Sequence, residues 1–174
     1  MKNNVLKFGI ISGLITSVFM VVSAVTMNGT LTYDQAEIVG YVGMLLAFTM
    51  IVVGMIKEKQ ALNGQISYGK ALSVGLQITL IATVMYVVSW MVLTAIKPEI
   101  IDEMYAMMES GLREQDFSEA DLKDQLKQME NFKSNYDSPI YKALITAVEI
   151  FPIGLAISLM GALFIKSRPS AASN

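Results

Sequence analysis

Between Lys7 and Asp34 no side chain carries a charge, and apolar residues fill most of that interval. Runs of the same kind recur three more times. The four cover about Phe8–Met27, Ile38–Ile56, Ala71–Ile96 and Ala143–Ile165, the last interrupted only by Glu149. A helix needs roughly 20 apolar residues to cross the hydrocarbon core of a bilayer. The apolar residues do not alternate with polar ones, which excludes barrel strands and leaves helices. The pattern predicts an all-α, polytopic membrane protein with four transmembrane helices in one membrane domain. The first run exceeds the usual apolar stretch of a signal peptide and lacks a clear small-residue cleavage site, so it reads as a retained span.

The segment 97–142 is too long for a structureless connection in a compact protein. Ile100, Ile101, Met104, Met107, Met108 and Leu112 recur at helical spacing, and Gly111 with the polar stretch Arg113–Asp116 ends that helix. A second helix starts at Ser118, with Asp121 three residues on and Phe117 and Leu122 in the staple positions. Leu122, Leu126 and Met129 continue its apolar stripe. Ser138-Pro139 then suits the cap and first turn of the fourth span. The expectation is a helical hairpin between spans three and four. It either shades the mouth of the bundle or offers a partner surface through Met104, Met107, Met108, Leu122, Leu126 and Met129. A copper(I) site built from the methionines is a further reading, with no Cys or His to join them.

Charge sets an expected orientation. Lys2, Lys7, Lys57, Lys59, Lys70, Lys166 and Arg168 flank one end of the spans, opposed only by Glu58. The other end carries Asp34, Glu37 and the acid-rich 97–142 segment. Cytoplasmic loops are enriched in Lys and Arg. Both termini are therefore expected in the cytoplasm and 97–142 outside, periplasmic in a bacterium. Asn28-Gly29-Thr30 is a glycosylation sequon on that outer side. The 57–70 loop, with its Asn63-Gly64 turn signal, reads as a connector near anionic headgroups or as a docking site.

Each span carries small residues four apart. Gly9, Gly13 and Ser17 lie on the first, Gly43 and Ala47 on the second, Ala71, Gly75, Thr79 and Thr83 on the third, and Gly154, Ser158 and Ala162 on the fourth. Such residues let helices approach closely in lipid. They serve either packing within the chain or a homo-oligomer formed through Gly9–Gly13.

The composition removes whole classes of chemistry. Without Cys or His there is no disulfide, thiolate, imidazole base or histidine metal site. No cofactor, metal or nucleic-acid partner is expected, and no enzymatic activity. The sharpest local feature is Glu149, about six residues into the fourth span, or roughly 9–10 Å from its boundary. An acid at the centre of a span costs about 2.5–3.5 kcal/mol on insertion scales, less near the edge. Pro152 leaves the Val148 carbonyl without a donor beside it. At similar depth the other spans offer Ser23, Tyr41 and the Tyr86–Ser89–Trp90 region. Lys142 is too far along the helix for a direct ion pair. Glu149 is either a buried, hydrogen-bonded packing residue or a proton, cation, lipid or partner-helix site.

Glu37 with Gly40-Tyr41-Val42-Gly43-Met44, then Asn63-Gly64-Gln65-Ile66-Ser67-Tyr68-Gly69-Lys70-Ala71, then Glu149-Ile150-Phe151-Pro152-Ile153-Gly154-Leu155, resemble a group of small bacterial membrane proteins, the domain-of-unknown-function family 4199. The resemblance covers nearly the whole chain. It implies four spans, a variable external segment and a Gram-negative inner membrane, and supplies no activity or site. The leading functional expectation is an accessory component that binds a membrane or periplasmic protein through 97–142. The alternative is a small proton- or cation-coupled transporter working as an oligomer through Glu149.

Overall fold

The computed structural model describes residues 2–26 and 33–167. The Asn28–Thr30 sequon lies outside them. Among the described residues the chain forms six helices: α1 (Lys2–Thr26), α2 (Tyr33–Ala61), α3 (Tyr68–Ile96), α4 (Glu99–Glu114), α5 (Glu119–Tyr136) and α6 (Pro139–Ile165). Four of them, α1, α2, α3 and α6, are long and apolar enough to cross a membrane.

The helices overrun the apolar stretches that announce them. α2 begins at Tyr33 rather than near Ile38, so Glu37 is helical. α3 begins at Tyr68 because Ser67 caps it, its hydroxyl accepting from the Lys70 amide at 3.3 Å. Ser138 likewise caps α6 ahead of Pro139, and α6 runs unbroken past Pro152. At α5 the Ser118 hydroxyl accepts from the Asp121 amide at 3.2 Å and donates to its carboxylate at 2.7 Å. That is the start signal read in the sequence.

The four long helices form a bundle in which α3 packs along both α1 and α6, and α1 along α2. α2 closes the ring against α6 and touches α3 across it. The core is Phe48, Ile51, Met55, Val74, Ile78 and Ile150, all fully buried. Large apolar side chains such as Leu14, Leu45, Val84 and Val148 point outward and stay exposed, as expected of helices that meet lipid on their outer faces.

Small and hydroxyl residues fill the seams. The Ser12 hydroxyl donates to the Ala47 carbonyl at 3.0 Å, joining α1 to α2. Ser89 donates to Ser17 at 3.0 Å, joining α3 to α1, and Thr79 and Ser158 bond at 3.2 Å between α3 and α6. A Cβ on Gly9 would meet Ile81, and one on Gly13 would meet Met85. Gly75 faces Met55 and Ser158, and Gly154 faces Thr79. The Gly9–Gly13 face thus packs against α3 of the same chain.

At one end of the bundle the α2–α3 connection turns at Asn63 and Gly64, both with positive φ (53° and 81°). Ser167 clamps this turn: its amide donates to the Ile66 carbonyl, its hydroxyl accepts from the Ile66 amide, and that hydroxyl also donates to the Gly64 carbonyl. Lys59 donates to the Ile165 carbonyl at 2.8 Å, satisfying the end of α6. The loop is therefore a connector tied to the bundle. Glu58 is only 2% exposed there, and accepts from the Asn4 side chain at 3.1 Å. The other end carries α4 and α5, held together by Lys133 and Asp102 at 2.7 Å.

Candidate functional site

A cavity of about 250 Å³ lies where the α4–α5 pair meets the bundle. Helical spacing builds its walls. Glu37 and Tyr41, four apart in the first turns of α2, share one face, with Gly40 beside them. Tyr86 and Trp90 repeat the spacing on α3. Met20, Ser23 and Ala24 come from the last turns of α1, and Glu149 from α6. Ile100 and Met104 of α4, again four apart, form the roof with Tyr136 from the end of α5.

The roof is anchored. Ile100 is 4% exposed and Tyr136 6%. The Trp90 indole N–H donates to the Tyr136 hydroxyl at 2.7 Å, tying α3 to α5. Tyr105 meets the edge of the Tyr136 ring and Phe132 stacks on it. Lys142 places its ammonium 5.3 Å from the centre of the same ring, so this cation rests on Tyr136, in keeping with the expectation that it is too far along α6 to pair with Glu149. Burial pushes the Tyr136 phenol above its ordinary pKa. The neutral phenol keeps its own O–H to donate while its oxygen accepts from Trp90.

The floor is polar. The Tyr86 hydroxyl donates to Glu149 Oε1 at 3.2 Å, while Tyr86 itself is 6% exposed. Glu149 is an exposed residue, as are Glu37 and Tyr41. On this floor α2 and α6 each contribute a glutamate to the cavity lining. Glu149 thus has the hydrogen-bond partner expected of a packing residue and also lines the cavity. The lining residues include no Lys or Arg.

The structure brings together Ser23, Tyr41, Tyr86 and Glu149 from the sequence-derived set, and leaves out two others. Ser89 is turned toward Ser17 of α1. Pro152 is exposed on α6 and is not a lining residue. Glu37 and Tyr136 are lining residues that sequence reasoning misses. The i, i+4 spacing of Glu37 and Tyr41 is the signal that could have found the first.

The expected partner surface is also divided. Met104 faces the cavity. Met107, Met108 and Met129 line a separate cleft of about 420 Å³ between α4 and α5, with Leu112 and Phe132. Leu126 lines a further depression with Asp102 and Lys133, and Leu122, half-buried, lines none of these. The four thioethers thus do not converge as one copper ligand set. Among the described residues no three or more His, Cys, Asp or Glu could hold a metal ion.

Two carboxylates, phenols and an indole around one space can hold positive charge, as a proton or as a cation. The architecture is that of an all-α protein with four candidate membrane spans and a two-helix insertion roofing a cavity. The model of the family described as "Protein of unknown function (DUF4199)" matches residues 7–167, and the chain belongs to that family. No curated protein and no solved structure matches it.

Proposed function

We propose that this chain is an integral inner-membrane protein with both termini in the cytoplasm and α4–α5 as a periplasmic helical hairpin. Its activity is non-enzymatic binding of a small ligand in the cavity beneath that hairpin. The observation that carries the reading is the cavity, which two glutamates and four aromatic side chains line together. Orientation is supported by charge. Lys7, Lys57, Lys59, Lys70 and Lys166 belong to the end away from the hairpin, whereas acids crowd the hairpin. The absence of Cys and His from the sequence favours binding over catalysis.

A proton- or cation-coupled transporter would use the same cavity. Beneath it Phe48, Ile51, Met55 and Ile78 are fully buried, so passage through one copy needs a rearranged or oligomeric bundle. Binding is the simpler activity for this arrangement. A second reading, an accessory component that grips a membrane or periplasmic protein, is favoured by the methionine-lined cleft of α4–α5.

The test uses the chain's lack of cysteine. Ser23→Cys, in the cavity, and Ser12→Cys, fully buried below it, are treated in intact cells with a membrane-impermeant thiol reagent. Reaction at the first and none at the second is expected. Reaction at Ser23→Cys only after the membrane is opened would contradict a periplasm-facing cavity.

A further inference from the structure

We propose that the cavity takes a small aliphatic ammonium group, either of a free amine such as choline or of a zwitterionic lipid headgroup. The proposal rests on the binding reading above and names its ligand class.

Charge comes first. Glu37 and Glu149 are both accessible and share the space without a lining Lys or Arg. Lys133 pairs with Asp102, and Lys142, itself not a lining residue, places its ammonium against the ring of the wall residue Tyr136. A cavity with two uncompensated carboxylates beside apolar walls attracts positive charge.

The walls then select among cations. Tyr41, Tyr86, Trp90 and Tyr136 surround the carboxylates, and Met104 and Ile100 cover them. Aromatic faces favour a weakly hydrated, methylated or alkylated ammonium. A compact hydrated metal ion wants more oxygen ligands than this set supplies. Size narrows the class further. About 250 Å³ is below the usual range for drug-sized ligands. An ammonium with a few small substituents fits.

The two sources follow from where the exposed lining residues stand. Glu37, Tyr41 and Glu149 are exposed on the α2–α6 side of two candidate spans. A headgroup reaching in from the lipid side and a solute from the water both meet the same carboxylates.

The only tryptophan in the chain, Trp90, lines the cavity and supplies the readout. The full chain is placed in nanodiscs of phosphatidylglycerol alone, and Trp90 emission is followed as choline is added. A saturable change is expected with choline and none with its neutral tert-butyl analogue. Glu149→Gln should weaken the response at least about tenfold. The Gln carbonyl can still accept from Tyr86, so the fold is kept, and circular dichroism checks this. If phosphatidylcholine in the disc competes with choline, the headgroup is the source; if it does not, the free amine is. No saturable change up to about 10 mM, or an equal response to the neutral analogue, overturns the proposal. In that event a reactive Ser23→Cys leaves the binding cavity standing without this ligand class, whereas an unreactive one removes both.

Discussion

The Tyr86 hydroxyl donates to the Glu149 carboxylate across 3.2 Å and joins α3 to α6 at the floor of the cavity. The bond gives an acid within a candidate span a partner. Lone acids inside spans are expensive and rare. Here the position is stabilised by one phenol, and the residue also lines the cavity.

Removing that donor separates structure from binding. Tyr86→Phe is expected to lower stability by about 1–3 kcal/mol, the range for losing a hydrogen bond to a carboxylate. Glu149→Gln keeps an acceptor and should stay near wild type. Denaturant unfolding in mild detergent compares the two. Equal losses would mean that the charge of Glu149, rather than its bond, holds the helices.

Glycine positions should split by their surroundings. Gly75→Leu drives a side chain into Met55 and Ser158, and overpacking of this kind costs about 1–3 kcal/mol or more. Gly69→Ala meets nothing within 4 Å and should change stability by less than about 1 kcal/mol. Thermal unfolding of the purified variants measures both. Gly9→Leu, set against Ile81, should impair folding rather than dissociate an oligomer, as size-exclusion chromatography would reveal.

The two links of the roof differ in strength. Lys133 and Asp102 are largely exposed, with side chains 46% and 74% accessible, so Lys133→Ala should cost less than about 1 kcal/mol. Tyr136→Ala removes a buried ring, the acceptor for Trp90 and the contacts with Tyr105 and Phe132. Faster labelling of Ser23→Cys is expected in that background and an unchanged rate with Lys133→Ala. Identical rates in all three would mean that α4–α5 does not control access.

Deletion of 99–136 tests the accessory reading. If the hairpin grips a protein partner, the shortened chain should still insert but lose that partner in mild-detergent purification. Retention of the same partner would assign the contact to the spans.

Much of the bundle was legible in the sequence because a charge-free apolar run satisfies one physical requirement, crossing hydrocarbon. The caps at Ser118 and Ser138 were legible for the same reason of local chemistry. Two acids were not. Glu37 and Glu58 counted as loop charges because hydropathy stops at the apolar run, whereas the helix continues through Glu37 at one end of α2 and Glu58 at the other. Glu58 follows Ile51 and Met55 on one helical face, a spacing that marks it as inward despite its charge. Depth along the spans brought Ser23, Tyr41 and Tyr86 to the level of Glu149, but rotation about each helix axis, which turns Ser89 toward Ser17, was not encoded in depth. Tyr136 could not be found from its own segment, since its place depends on how α5 returns onto the bundle.

The most direct measurement is the charge selectivity of labelling at Ser23→Cys. A cationic methanethiosulfonate and its anionic counterpart of similar size are applied to intact cells, alone and with Glu37→Gln and Glu149→Gln present together. For an accessible, electronegative cavity the cationic reagent should react at least about tenfold faster, and the double substitution should bring the two rates together. Equal rates in the otherwise unaltered chain would contradict the assignment of this cavity as a site for positive charge.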